Sequence, residues 1–573
     1  MTRRLQALRV GNFKAFADTQ RIPLKPITLI FGPNSAGKSS FIHSLALAHE
    51  AQFGREKRSL ARLDVHHTDV GGSAIDLGGF RQYVHRGQLN KRVEWGAELK
   101  VSALAQGNDQ RLGQLLAPVS SVTLNIALGI ELDDQDRPKP GAEPRVDSIE
   151  IIADGTELLR MSRRRGDGIG SVLRMDRLAT RHPVIHEHIR LIVEELTTVG
   201  KITDDDFKAA DTAIGDLLPE LIVRVETFFP SSIELPKSDG SESSVQSMLF
   251  PVSKGNRQED VAQAIRFVLP RTLNDLIKGV ANALVDELKE LQYLGPLRSF
   301  PPRHLAFAEH EDANWYAGGG YAWDVVRRDD SVREAVNGWL GSDKLKTPYK
   351  LVVRSLVAAD QLKDPLAGGL EAIADDEDAM FLGSVNKDGF VMTHYPPRDD
   401  ARPFFQDVDA SAEVLAKTVE SSDIDRIREL VLVDQRTNTV VTHRDVGIGI
   451  SQVLPVLVMA YGSHGKLLAM EQPEIHLHPA LQAELGDVFI EAALGERKNT
   501  FILETHSEHL ILRLMRRIRE GKISPDDVGV VFVEPLARGS RFIELRIDEE
   551  GDFIDEWPGG FFEESFHEKF GGR

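Results

Sequence analysis

The sequence predicts an α/β protein in which both chain ends build one sheet and the middle is an inserted lobe of mixed β and helical character. Three observations lead there. A short β-branched strand, a glycine-bearing loop and a helix follow one another at the start of the chain. Further apolar strands alternate with helices near its end. The stretch between is first β-rich and then helical, with no repeat and no sustained heptad. This divides the chain into residues 1–100, 101–427 and 428–573, the outer two forming a head and the middle one the lobe.

In order, Leu5 to Val10 reads as a strand and Ile27 to Phe31 as a buried one. From Lys38, Phe41, Ile42, Leu45 and Ala48 recur at helical spacing. Val122 to Leu132 and Ser148 to Ala153 alternate around a Pro/Gly/Asp turn and predict paired strands. Residues 180–292 predict helices, the clearest from Leu273 to Leu291. Leu235 to Gln246 and Ala374 to Ala379 are polar or acidic and predict loops. Lys466 to Met470, Asn499 to Leu503 and Val528 to Val533 predict strands, Ser507 to Arg519 a helix, and Arg541 to Asp548 part of a closing hairpin.

The chemistry sits at the strand ends. Gly32-Pro33-Asn34-Ser35-Ala36-Gly37-Lys38-Ser39 matches G-x-x-x-x-G-K-[ST]. Glycines let such a loop curl so that its N–H groups face phosphate oxygens, and the following helix adds its positive end. Asn34, Ser35, Ala36, Gly37, Lys38, Ser39 and Ser40 are therefore the expected phosphate-binding set. Lys38 would reach the β- and γ-phosphates and Ser39 would ligate Mg²⁺. The strand Leu467 to Met470 runs into Glu471, where a nucleotide–Mg²⁺ site needs a carboxylate. Glu474, His476 and His478 have the spacing of metal ligands if extended, or line a nucleotide or subunit interface. His506, after the strand Asn499 to Leu503, can donate to a γ-phosphate or hold an attacking water.

VGNFKAF, GPNSAGKSS, EQPEIHLHP and ETHS, in that order, resemble the ABC-type AAA ATPases of the RecF, OLD and SMC kind, over residues 1–90 and 428–573. YLGPLRSFPPR, DVGIGISQVLPVL and FIDEWPGGFFEE resemble a stand-alone prokaryotic branch of that group. The resemblance implies an ABC-type P-loop NTPase head with ATP and Mg²⁺ as cofactors. It also implies a homodimer or higher oligomer, in which a phosphate loop from one subunit and a signature helix from the other enclose each nucleotide. The signature corresponds to Gly447-Ile448-Gly449-Ile450-Ser451-Gln452, with Gly447, Gly449 and Ser451 as donors. It departs from the usual LSGGQ. Gln472 stands where the group carries a glutamate that activates water; an amide can position water but cannot take its proton. Glu471, Gln472, Glu474 and His506 are then the catalytic candidates, with Glu474 or Glu504 as an alternative base. His478 falls at an interface-loop position, and Gln82 is the candidate lid glutamine.

Composition limits the rest. Lys and Arg number 69 against 88 Asp and Glu, a formal charge of −19, which excludes a uniformly basic nucleic-acid binder and leaves a local basic groove open. Arg163 to Arg165 and the Arg513, Arg516, Arg517, Arg519 and Lys522 cluster fit such a groove or a solvated, ion-paired surface; Arg298 and Arg303, in a proline-stiffened segment, fit a nucleotide or acidic partner or a structural ion pair. With no cysteine, disulfides, thiolate zinc sites and a cysteine nucleophile are excluded. There is no apolar stretch of roughly 18 residues and no leader-like apolar region, so a cytoplasmic chain without a membrane partner is expected. Two functions follow: an ATPase component in DNA repair or anti-phage defence with a separate nuclease or toxin effector, or a nucleotide-gated interaction switch with slow or no hydrolysis and no DNA contact.

Overall fold

The computed structural model describes residues 4–54, 68–164 (without 69, 73, 107–109 and 141), 172–196, 202–234, 256–298, 314–357 (without 342–343), 361, 383–386, 389–392, 416–417, 419, 426–441 and 448–558. The expected loops at Leu235 to Gln246 and Ala374 to Ala379 lie outside them.

Strands β1 (Leu5–Gly11), β2 (Gln20–Pro23) and β3 (Ile27–Phe31) precede helix α1 (Lys38–Phe53). Next come β4 (Val93–Lys100), β5 (Ser121–Gly129), β6 (Arg145–Ala153), β7 (Thr156–Ser162) and β8 (Val172–Leu178). Helices α2 (Pro183–Leu196) and α3 (Asp204–Leu217), strands β9 (Ile222–Arg224) and β10 (Ser232–Glu234), helix α4 (Arg257–Lys289) and strand β11 (Leu291–Leu294) follow. Then α5 (Tyr321–Arg328), α6 (Asp330–Leu340), β12 (Tyr349–Val357), β13 (Gly383–Asn386), β14 (Gly389–Met392), β15 (Arg426–Asp434) and β16 (Thr439–Val441) lead back toward the head. The last elements are α7 (Ile448–Gly462), β17 (Leu467–Glu471), α8 (Pro479–Leu494), β18 (Thr500–Glu504), α9 (Glu508–Arg519), β19 (Val528–Glu534) and β20 (Arg541–Glu544).

Both chain ends share one sheet, in the order β11-β17-β18-β3-β19-β20. Its first five strands are parallel and β20 closes antiparallel on β19. Parallel strands are buried on both faces, and these alternate between two cores. Ile30, Leu467, Ala469, Ile502 and Val531 face a core shared with α1 and α4. Leu29, Phe31, Leu468, Met470, Phe501 and Leu503 face one built with α5 to α9. A second, nine-stranded antiparallel sheet runs β10-β9-β8-β7-β6-β5-β4-β1-β2. Strands beyond residue 100 thus extend the sheet that β1, β2 and β4 begin, and β11 joins the parallel sheet.

The clearest expected helix needs correction. It starts at Arg257 and not Leu273, because the Asn256 side chain caps it by accepting from the Gln258 amide, 3.2 Å. Its apolar stripe already includes Val261, Ile265 and Leu269, and Pro270 lies inside it. Leu291, expected as its end, opens β11. The described part of residues 180–292 is mostly helical, as expected, with β9 and β10 adding to the antiparallel sheet. At the C-terminus β20 pairs back onto β19, and only a bridge from Ile547 to Phe553 closes the next turn.

Phe501 is fully buried on β18, with its ring 5.0 Å from that of Phe489. Phe501→Ala should destabilise the protein by about 3–5 kcal/mol. Chemical denaturation measures this, and a loss below about 1 kcal/mol would contradict a central position for β18.

Candidate functional site

The register of the parallel sheet assembles the site. Glu471 pairs with Glu504 across β17 and β18, and Glu504 with Ile30 across β18 and β3. The ends of these strands therefore stand side by side, with the phosphate loop leaving β3 at the same level.

That loop needs its glycines. Gly32 has φ +144° and Gly37, the N-cap of α1, has φ +102°. A Cβ on Gly37 would lie 2.3 Å from the Ala15 Cβ. Ser35 is also left-handed, φ 62°. Asn34 and Ser35 are exposed, while Ala36 and Lys38 are buried. Ser540 fixes the loop from outside, its hydroxyl donating to the Ala36 carbonyl at 2.6 Å and its amide to the Ala15 carbonyl at 2.8 Å. Lys38 Nζ donates to the Gly32 and Pro33 carbonyls at 3.1 and 3.0 Å and lies 4.0 Å from Glu504. Burial lowers its pKa, against the pull of Glu504, Glu474 and Glu471.

Ser39 donates its one hydroxyl proton to Glu504 Oε2 at 2.6 Å, and Glu471 competes for it. Glu471 Oε1 accepts from the Tyr293 hydroxyl at 2.9 Å and lies 3.3 Å from His43 Nε2. His43 sits one helical turn after Ser39, so both face the carboxylates. Its Nδ1 is 2.6 Å from Lys14 Nζ. An ammonium only donates, so Nδ1 accepts and Nε2 carries the proton toward Glu471. Burial pushes the Glu471 carboxyl up, but the His43, Tyr293 and Ser39 donors leave it below the usual range. Glu504 is pushed up to about 7, by burial first and then by the Glu471 charge. Burial also lowers Lys14, to about 8. Among the described residues no group of three or more His, Asp or Glu side chains forms a metal cage. A hydroxyl beside one or two carboxylates is instead the oxygen set Mg²⁺ takes when phosphates supply further ligands, and Ser39, Glu471 and Glu504 provide it.

Past β17 the chain turns sharply. Gln472 is left-handed, φ 47°, with its amide on the Glu504 carbonyl at 2.7 Å. Arg298 Nη2 donates to the Gln472 carbonyl at 3.1 Å. Glu474 is buried, and its Oε1 accepts from the His506 amide at 2.7 Å. Burial raises the Glu474 pKa and lowers that of His506, which Lys38 lowers further. His506 Nε2 is buried with no partner among the described residues.

The extended metal-ligand reading of Glu474, His476 and His478 is corrected. The segment is a turn with His476 at φ 62°, so the three side chains do not share a face. His478 caps α8, its Nδ1 accepting from the Ala480 amide at 3.3 Å. In the signature, Ser451 is buried, and a Cβ on Gly449 would lie 3.3 Å from the His476 carbonyl. Gly447, Arg165 and Arg303 lie outside the described residues. Gln82 is exposed on the short helix Phe80–Tyr83. The α9 cations are ion-paired: Arg513 with Glu484 and Asp487, Arg517 with Asp487 and Glu520, Arg516 and Lys522 with Glu520, Arg519 with Asp552. Lys14, His43 and Tyr293 were not among the sequence candidates. Lys14 and Tyr293 do lie in the VGNFKAF and YLGPLRSFPPR segments that carry the resemblance, and His43 stands at i+4 from Ser39.

A family model described as "AAA domain, putative AbiEii toxin, Type IV TA system" matches residues 279–513. One described as "AAA domain" matches residues 7–111, and a protein of unknown function family, DUF3696, matches residues 523–570. No curated protein matches the chain. Similar solved structures include an Smc head bound to the C-terminal winged-helix domain of ScpA, at 9% identity and TM-score 0.32, covering 95% of this chain and 98% of that one. An Smc head with an extended coiled coil bound to the C-terminal domain of ScpA, from Pyrococcus furiosus, has the same identity and TM-score, with 95% and 96% covered. The SMC head domain from Thermotoga maritima has 9% identity and TM-score 0.31, with 95% and 100% covered. The fold is a mixed α/β P-loop NTPase head, and the AAA-domain matches support nucleotide binding.

Gly37→Ala forces the loop off Ala15 and should weaken Mg²⁺-ATP binding by about tenfold or more. Gly215→Ala, on α3 with nothing within 4 Å, should leave binding unchanged. Calorimetric titration of both variants checks this; equal affinities would contradict the packed-loop geometry.

Proposed function

We propose that this chain is a Mg²⁺-dependent ATPase that dimerises head-to-head around ATP and turns it over slowly. One observation carries the reading: the phosphate loop, Ser39, Glu471 and Glu504 meet at the ends of neighbouring parallel strands. Lys38 and the loop amides hold the phosphates. Ser39 and Glu471, with Glu504 beside them, hold Mg²⁺, which supplies neutralisation of the developing phosphate charge. His506 faces the γ-phosphate from the strand between. Gln472 positions water without accepting its proton, which supports slow turnover. The signature segment that carries Gly447, Gly449 and Ser451 serves a second copy across the dimer, with Ser451 buried behind its surface.

In the cell the chain is the ATPase component of a DNA-repair or anti-phage defence system with a separate effector, a nuclease or toxin. The AAA family description, which names a putative toxin of a toxin–antitoxin system, supports that setting. The second reading is a nucleotide-gated interaction switch that never touches DNA. The charge of −19 and the ion-paired cations of α9 favour it. Among the described residues no helix is long and apolar enough to cross a membrane.

Lys38→Ala should abolish both ATP binding and ATP-dependent dimerisation, read by light scattering. Gln472→Glu should raise kcat at least about tenfold by restoring a base. A Lys38→Ala protein that still dimerises with ATP would sink the dimer model, and an unchanged Gln472→Glu rate would remove Gln472 from the water site. Turnover stimulated by duplex DNA, with salt-dependent binding, separates the first reading from the second.

A further inference from the structure

Arg298 follows β11 and is only 6% exposed. Its Nη2 reaches the Gln472 carbonyl at 3.1 Å and the Glu471 carbonyl at 3.5 Å. Its Nε and Nη1 have no acceptor among the described residues, and neither has Glu474 Oε2 a donor. Unfilled donors on a buried cation and an unfilled acceptor on a buried anion are each costly alone. Here both engage one turn without touching: Arg298 bonds the Gln472 carbonyl, which also takes the Ile475 amide at 3.1 Å, and Glu474 lies within that turn and feels the Arg298 charge. The pair also has two ends. Arg298 holds the left-handed Gln472 backbone by its carbonyl. Glu474 holds the amide of His506 at 2.7 Å.

We propose that Arg298 and Glu474 act as one positioning pair that sets the Gln472 turn and His506 together. We assign neither the role of base: Glu474 spends one oxygen on the His506 amide, and its other oxygen has no donor among the described residues. Arg298 is thereby tied to a residue on a different strand that it does not touch. The kinetic part of this inference rests on the ATPase reading; the structural coupling does not.

The test uses the full-length protein with Arg298→Met, Arg298→Lys, Glu474→Gln and the Arg298→Met/Glu474→Gln double variant. Glu474→Gln keeps an acceptor for the His506 amide and removes the charge, so a merely structural cap would leave it active. Each single change should lower kcat about tenfold or more with KM within about threefold. The double variant should be no slower than the slower single one. Arg298→Lys, which keeps charge but loses the fork, should not restore the rate. Losses that multiply in the double variant, or an active Glu474→Gln, would overturn the pair. Hydrogen–deuterium exchange gives a readout independent of turnover. Arg298→Met should raise exchange in residues 504–508 as well as 471–476, and leave residues 32–39 unchanged. Unaltered exchange at 504–508 would overturn the coupling. An unsubstituted protein without Lys38-dependent turnover would sink the ATPase reading, and the exchange data would then decide the pair alone.

Discussion

The parallel register that sets Glu471 beside Glu504 is the constraint on which the rest of the site depends. Neighbouring strands lie about 4.8 Å apart. Two unit charges at that distance repel by roughly 3–4 kcal/mol at an effective dielectric constant near 20. Both carboxylates are buried, so water does little to screen them. The donors then decide which one ionises readily. Glu471 takes His43 and Tyr293, and lies below the usual carboxylate range. Glu504 has Ser39 and the more distant Lys38, and rises to about 7. Two like groups in one pocket are driven apart by their donors, and each surrounding donor or cation offsets part of that burial cost.

Backbone strain gathers at the same place. Asn12, Lys14, Ser35, Gln472 and His476 all have positive φ without being glycine. Each costs on the order of 1–2 kcal/mol and persists only where neighbours enforce it. The enforcing contacts cross the chain: the Lys14 amide on the Tyr83 carbonyl and the Gln472 amide on the Glu504 carbonyl, both at 2.7 Å. Ser540, near the far end of the sequence, holds Ala36 from the opposite side. The fold therefore spends long-range hydrogen bonds on loop conformations that local sequence disfavours, and these loops carry the candidate chemistry.

Much of this was legible in the sequence where the signal is local. The phosphate loop announces itself by glycine spacing, and structure places it between a strand and a helix whose bounds, Ile27–Phe31 and Lys38–Phe53, follow the apolar pattern. Glu471 and His506 were readable because each ends or follows a short apolar run. What was not legible depends on contacts between distant segments. Tyr293 and Arg298 reach Glu471 and Gln472 only because β11 docks beside β17, a pairing across more than a hundred residues that no periodicity encodes. Glu474, His476 and His478 misled because alternation assumes an extended chain, and a left-handed His476 breaks that assumption. The arginines of α9 fit either a phosphate-binding or an ion-paired face by spacing alone, and the structure shows the ion-paired one, with the partners Glu484 and Asp487 on another helix.

The docking of β11 also joins the strand-end cluster to the longest helix among the described residues. Helix α4 ends at Lys289 and β11 begins at Leu291, so the two are nearly continuous. β11 carries Tyr293, which donates to the carboxylate expected to hold Mg²⁺. A cation that draws Glu471 away from the Tyr293 hydroxyl acts on a strand joined directly to α4. That helix packs its apolar stripe into the core it shares with the antiparallel sheet and α1. An event at the strand ends therefore has a short covalent and packed route into α4 and the core it shares with the antiparallel sheet, through a buried hydrogen bond. The nearby α9 surface is occupied by its own ion pairs. The route through β11 thus joins the strand-end carboxylates to α4 without passing through the phosphate loop.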